Sequence, residues 1–387
     1  MDSPLVIIGT GMAGIGLARA IRKQDTRRPI TLFSSDSGSE YSKPLLSTGF
    51  AKGLAPESLA VRRADELAEQ LNVEVLAHTP VSAIDPDARE VRCANGSTTR
   101  YGELVLATGA APRVPFAIAD EVASRFHTIN DLDDYRRFHA ALAKAATPAR
   151  VAIIGAGLVG CEFANDLHAG GHRVSLIAPE TAPLPRLLPP PLGRALGEAF
   201  SDAGISLHLG RTLASQALEG GDVLLQLDNG EEIAADIVLM ATGLKPRTTL
   251  AETAGLRVEE SGIQVDRYLQ TSAPHIHALG DAACVAGVNA MYVQPLQACV
   301  RALAASLNGK PTTISFGAWP VMVKTPLLPV VALPPLHEPA RWRIEGESQD
   351  ITALAEDQDE RLIGFALTGS CVKRKVELSR AAPPLLG

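Results

Sequence analysis

Aromatic residues make up only 4% of this 387-residue chain, so aliphatic side chains must fill its core. Cysteine is scarce as well: Cys93, Cys161, Cys284, Cys299 and Cys371 are scattered, with no CxxC pair. That scatter excludes a local disulfide-exchange motif and a structural zinc site, and each thiol reads as a free, buried side chain. No His/Cys/Asp cluster has metal-ligand spacing either. The longest apolar run, PLLPVVALPPL, is broken by proline and falls short of the roughly 20 residues that a spanning helix needs. The early run PLVIIG lacks both the length and the basic flank of a signal peptide. Long basic runs are absent and the net charge is −7, which argues against nucleic acid or an anionic membrane as the main partner. What remains is a soluble, cytoplasmic protein.

A hydrophobic content of 46% with 20% charged residues is that of a folded globular chain, and its length suggests two or three domains. The chain repeats itself. LVIIGTGMAGIGLA, from Leu5 to Ala18, returns as VAIIGAGLVGCEFA, from Val151 to Ala164. Each copy runs from an apolar strand into GxGxxG and a helix: Gly9, Gly11 and Gly14 (with Ala13 inside the turn), then Gly155, Gly157 and Gly160. In such a turn the first glycine makes the tight bend and the second lets phosphate oxygens approach the backbone. The third lets helix and strand pack closely, and the pyrophosphate rests on the helix N-terminus. PITLFSSD and HRVSLIAP are the return strands, and ELVLATGA and DIVLMATGL close the two halves. Two dinucleotide sites are predicted. Only the second copy carries a carboxylate, Glu162, where the first has Gly16.

The acid that commonly stands about 20 residues on, at the end of the second strand, is missing from both copies. The first offers Ser34 and Ser35, with Asp36 slightly late; the second offers Ala178, with Glu180 two residues further. Neither strand is followed at once by an arginine for a 2′-phosphate, which favours NADH over NADPH. Elsewhere, RRADELAEQLN reads as a helix, Val73 to Val91 as β-rich, and ANGS as a hairpin turn. NDLDDYRRFHAALAKA reads as a helix capped by Asn130 or Asp131. LGRALGEAFSDAG and QPLQACVRALAASLNG are further helices. From about Lys310, Pro-punctuated strands and one short helix suggest a small third domain of α/β or antiparallel type.

Two dinucleotide units joined by ATG strands and followed by HIHALGDAA resemble the FAD-dependent pyridine-nucleotide oxidoreductases over essentially the whole chain. The resemblance implies an α/β, glutathione-reductase-like fold. Its parts would be a discontinuous FAD-binding domain (1–110 and 245–312), an NAD-binding domain (111–244) and a C-terminal domain (313–387). It implies tightly bound, non-covalent FAD, with NADH as electron donor and Gly280–Asp281 at the flavin's ribityl-phosphate region. The disulfide reductases of that family need paired cysteines, which this chain lacks. The peroxidase and CoA-disulfide branch has a single cysteine where Thr48 stands. Electrons must then leave the flavin directly.

YSKPLLSTGF, GLVGCEFANDL, YVQPLQACVRALA and PVMVKTPLLPVV resemble the branch that serves small one-electron carriers, the bacterial rubredoxin reductases above all. By that resemblance Lys43, Val81, Glu162, Asp281, Val293 and Lys324 are flavin contacts. Lys43, held extended before Pro44, would pair with Glu162, and Lys324 or the helix start near Pro295 would stabilise charge on the reduced flavin. Lys43, Glu162 and Lys324 are thus the candidate catalytic residues. The activity implied is hydride transfer from NADH to FAD and single-electron delivery to rubredoxin or a similar small acidic iron protein. A ferredoxin, a flavorubredoxin, or a slow NADH-binding sensor role are the alternatives. An acidic carrier calls for a basic docking patch, for which Lys43, Lys52, Arg62 and Arg63 are candidates. The short C-terminal piece favours a monomer. His275 and His277 read as strand residues rather than general bases, and Phe316 and Trp319 as packing or an electron exit.

Overall fold

The computed structural model describes residues 4–387. Leu5–Ile8 is buried along its whole length, as a strand flanked on both faces must be. It pairs in parallel with Ile30–Phe33 on one side and Glu103–Leu106 on the other. Glu74–Leu76 and Ile276–Ala278 complete a five-stranded parallel sheet at its two edges. The second unit repeats the plan. Arg150–Ile154 lies between Arg173–Ala178 and Ile237–Met240, with Ser206–Leu209 and Phe126–His127 at the edges, again five parallel strands. Each unit adds a three-stranded antiparallel meander, Val81–Arg100 in the first and Leu213–Ala235 in the second.

The chain passes between the units twice, and the two crossings, Ala110–Pro112 and Leu244–Pro246, pair antiparallel. The last unit is a five-stranded antiparallel sheet with order Val321–Val323, Val330–Leu333, Leu362–Thr368, Asp350–Glu356, Arg341–Glu347. One short helix, Lys375–Ala381, covers its end, so of the two architectures open for this region the strands adopt the antiparallel one. Among the described residues no helix is long and apolar enough to cross a membrane.

The helix read through about Lys23 spans Met12–Arg22. Asp131, not Asn130, caps Leu132–Leu142, its carboxylate accepting from Asp134 N at 2.8 Å. The helix read from LGRALGEAFSDAG starts two residues earlier, because Pro190 and Pro191 fit the first turn of Pro190–Ala203, where no N–H is needed. The same physics corrects Lys43. It opens a 3-10 helix, Lys43–Thr48, instead of lying extended, with Pro44 in the first turn. The few aromatics are concentrated: Phe50 lies among Tyr135, Phe138, His139 and Phe163, with ring centroids 5.0 to 6.5 Å away.

Candidate functional site

The two glycine turns are nearly superimposable in their constraints. Gly9 has φ +118° and Gly155 φ +112°, a region open to glycine. A Cβ on Gly9 would stand 2.2 Å from Ala107 O, and one on Gly155 2.4 Å from Ala241 O, so each turn is pressed against its closing ATG strand. On Gly14 or Gly160 a Cβ would stand 1.9 Å from the carbonyl oxygen of Gly9 or Gly155. The middle glycines differ: a Cβ on Gly11 or Gly157 meets nothing within 4 Å. Neither helix that follows has a side-chain cap on its first N–H groups. Two open backbone cradles of this kind fit the pyrophosphates of two dinucleotides.

Ser34, at the end of the first return strand, is buried; its hydroxyl lies 2.6 Å from Thr10 Oγ1 and donates to Asp36 Oδ1 at 2.6 Å. Asp36 also accepts from Gly38 N at 2.8 Å, so the carboxylate that comes late in sequence is tied back to the strand end. Ser35 is exposed beside it. In the second unit Ala178 is buried and its carbonyl accepts from Arg211 N, while Glu180 is exposed. Gly280 has φ +76° and lies so close to the first turn that a Cβ there would be 3.1 Å from Ala13 Cβ. This sets Gly280–Asp281 against the first cradle. Val81 begins the first meander and Val293 begins the helix Val293–Leu307, both half-buried. The start of that helix also lacks a side-chain cap.

The three candidate lysine and glutamate positions do not converge as read from sequence. Glu162 is 5% exposed and pairs with Lys324, not Lys43. Lys324 Nζ lies 2.7 Å from Glu162 Oε2 and also donates to Ser47 Oγ and Pro44 O. Lys324 N donates to Glu162 Oε1 at 3.1 Å, and Ser47 Oγ to Glu162 Oε2 at 2.7 Å. A buried carboxylate demands this many donors. Lys43 instead donates to Asn130 Oδ1 at 2.8 Å, with Asp281 Oδ2 at 3.8 Å. Burial lowers the pKa of its ammonium from the ordinary value, against the pull of Asp281. The 3-10 helix Lys43–Thr48 therefore carries one polar cluster at each end: Lys43–Asn130–Asp281 and Ser47–Glu162–Lys324.

Ser47 and Thr10 were not singled out by sequence, and Asn130 only as a possible helix cap, since nothing in their spacing marks them for the site. Asn165 and Asp166 are also new. They follow Glu162 on one helix face and accept from Leu327 N at 3.1 Å, and from Phe50 N and Ala51 N at 3.0 and 2.9 Å. The opposite copy explains itself too: Gly16 faces Val300 of Val293–Leu307, where a carboxylate would meet apolar packing.

The proposed basic patch on the early loop is largely neutralised. Arg62 pairs with Glu40 at 3.1 Å, and Arg63 with Asp65 at 2.9 Å and Glu66 at 3.4 Å. Of the four early-loop cations, Lys52 alone is exposed and makes no salt bridge among the described residues. His275 and His277 clamp Glu103 at 3.0 and 3.1 Å across neighbouring strands. Phe316 and Trp319 lie 6.5 Å apart, and Phe316 pairs with Leu386. Thr48 Oγ1 donates to Leu45 O, and Cys161 is fully buried, its thiol pushed up by burial and donating to Ala156 O. Among the described residues no thiol hydrogen-bonds to either cluster. A recess of about 300 Å³ beside Asp85, Arg92 and Thr253 lies on the first meander and belongs to neither cradle.

The profile of the pyridine nucleotide-disulphide oxidoreductases matches residues 3–305, and that of a rubredoxin binding C-terminal domain matches residues 313–382. The chain is 42% identical to the rubredoxin-NAD(+) reductase of Alcanivorax borkumensis over 386 residues, 99% of each chain. It is 39% identical to that of Acinetobacter baylyi over 390 residues, 99% of this chain and 98% of the other. A nitric oxide reductase FlRd-NAD(+) reductase of Vibrio vulnificus is 36% identical over 380 residues, 98% of each. Among solved structures, a chain of the covalent putidaredoxin reductase–putidaredoxin complex superposes with TM-score 0.88 at 26% identity, covering 99% of this chain and 94% of that one.

Proposed function

Because the chain belongs to the pyridine nucleotide-disulphide oxidoreductase family, we propose that it is an FAD-dependent reductase that draws on NADH and passes single electrons to rubredoxin. Bound FAD supplies the step from a two-electron donor to a one-electron acceptor. The observation that carries the reading is the pair of open glycine cradles, with a junction between them at which no thiol among the described residues hydrogen-bonds to Lys43, Glu162 or Lys324. Gly9, Gly11, Ala13 and Gly14 hold the FAD pyrophosphate, with Ser34 and Ser35 at its ribose end. Gly155, Gly157 and Gly160 hold that of NADH. Asp281, Val81 and Val293 contact the flavin. Lys43, Glu162 and Lys324 would orient its reacting edge, where the partly exposed cation of Lys324 would offset negative charge. The side-by-side crossings at Ala110–Pro112 and Leu244–Pro246 support a division into 1–110 with 245–312, 111–244 and 313–387.

The carrier docks on the C-terminal sheet. Met322 is 59% exposed and lies two residues before Lys324 in the chain. Lys375 Nζ lies 3.4 Å from Met322 Sδ, and Val376 is 53% exposed. Leu45, 40% exposed, follows the Pro44 carbonyl that Lys324 holds. Lys373 and Lys375 make no salt bridge among the described residues. An apolar spot edged by free cations suits a small acidic protein, in a chain whose net charge is −7.

The test is anaerobic reduction by NADH, followed by mixing with rubredoxin, a flavorubredoxin or a 2Fe–2S ferredoxin. Fast oxidation by rubredoxin and a salt-sensitive slowing in Lys375→Glu are expected. A protein purified without flavin would sink the proposal, and faster turnover with a flavorubredoxin would favour the role named for the Vibrio vulnificus relative. Sedimentation as a 40.7 kDa species would support the monomer.

A further inference from the structure

Leu158–Ala169 carries three polar side chains at i, i+3 and i+4 that are buried on one face: Glu162, Asn165 and Asp166, 5%, 4% and 3% exposed. Each accepts from a backbone N–H outside its own nucleotide unit. Glu162 takes Lys324 N, Asn165 takes Leu327 N, and Asp166 takes Phe50 N and Ala51 N. The two amides held by Asp166 lie just past the 3-10 helix Lys43–Thr48, and each oxygen of the carboxylate takes one. The bend is locked from the other side as well. A Cβ on Gly49 would stand 2.3 Å from Tyr135 Oη, and the Phe50 ring is packed among Tyr135, Phe138, His139 and Phe163. Burial raises the Asp166 pKa, opposed by the two backbone donors and, at longer range, by Lys324 and Lys52. Packing alone would be served by an apolar residue, so an acid here has a task.

We propose that Asp166 is a positioning residue that couples the helix on which NADH is seated to the segment that carries Lys43 and Ser47. The inference rests on the assignment of the second cradle to NADH. The helix is a rigid bar: its N-terminus at Gly157 receives the nucleotide, and further along Asp166 grips Phe50 and Ala51. A small shift at the nucleotide end is then transmitted to both polar clusters of the 3-10 helix. Removing one of the two acceptor oxygens frees one amide and loosens that transmission.

The experiment uses the FAD-loaded protein and its Asp166→Asn and Asp166→Ala variants. With Asp166→Asn, the limiting rate of flavin reduction by NADH should fall roughly tenfold, while half-saturation by NADH moves less than about twofold. Electron delivery from photochemically reduced protein to the acceptor should stay at the wild-type rate. In parallel, amide exchange at Phe50 and Ala51 should slow on adding NAD(+) to the wild type, and that response should vanish in both variants. Wild-type reduction rates in Asp166→Asn would overturn the coupling. So would an exchange rate at Phe50 and Ala51 in the wild type that ignores NAD(+), a measurement that stands even if the variants fold poorly. A wild type that NADH does not reduce at all would instead sink the assigned reaction.

Discussion

Gly157 and Gly160 stand in one turn, yet substitution should damage them in opposite ways. The backbone at Gly157 is ordinary extended chain, φ −77° and ψ −171°, and a Cβ there meets nothing within 4 Å. Gly157→Ala and Gly157→Val should therefore fold as the wild type does. The added carbons, however, occupy the space through which a pyrophosphate reaches the first N–H groups of Leu158–Ala169. Losing two charge-assisted hydrogen bonds at about 1.5 kcal/mol each costs about 3 kcal/mol, a weakening of NADH binding of roughly 100-fold for valine. At Gly160 the Cβ would lie 1.9 Å from Gly155 O and 3.3 Å from Ala241 Cβ. Strand and helix must then separate, with an overpacking cost of about 1–3 kcal/mol or more. Fluorescence titration with NADH and thermal unfolding, run on both variants, separate the cases. Gly157→Val should lose affinity at an unchanged melting temperature, and Gly160→Ala should lose melting temperature first. A Gly157→Val protein that binds NADH as tightly as wild type would refute the cradle assignment. The same contrast at Gly11 and Gly14 should be read out as flavin content after purification.

Glu162→Gln leaves the Lys324 ammonium without its carboxylate at 2.7 Å. Because the Lys324 side chain is 32% exposed, the expected loss is about 1.5 kcal/mol, near the low end for a charge-assisted bond, and a roughly tenfold slower reduction by NADH in stopped flow; a wild-type rate would remove Glu162 from the mechanism. Burial alone would raise the Glu103 pKa, but the hydrogen bonds from His277 and His275 outweigh it and hold it at about 2, below its ordinary 4.5. Its contribution to stability is thus complete above pH 4.5 and lost as pH falls towards 2. Glu103→Gln should flatten that part of the unfolding-versus-pH curve, and an unaltered curve would contradict the clamp. Cys93, Cys161, Cys284 and Cys299 are buried and Cys371 is half-buried, so iodoacetamide on the folded protein should leave electron transfer intact. Activity lost in step with one alkylated thiol would bring a cysteine back into the mechanism.

Both glycine turns are legible in the chain because their constraints are local. A tight bend, a phosphate approach and a helix–strand contact all fall within six residues and demand the same residue type each time. Glu162 is visible by contrast with Gly16, and Asp281 by its place after HIHALG. The errors share one cause. Lys43 and Glu162 were paired by resemblance, but spacing along a chain does not say which cation a buried carboxylate will meet. Arg62 and Arg63 read as free charges because their carboxylate partners, Glu40, Asp65 and Glu66, draw no attention in a polar loop.

The amino-acid order alone points to two nucleotide-binding units, the lack of a CxxC pair and a small last unit of α/β or antiparallel type. All three depend on periodicity, glycine placement or the presence of a residue type. The tertiary fold settles the junction. Lys324 reaches Glu162 across 162 positions of chain. Asp166 finds its two amides 116 and 115 positions away. Both meetings exist only because three units close on one helix, and a buried carboxylate takes whichever donors that closure brings within hydrogen-bond range.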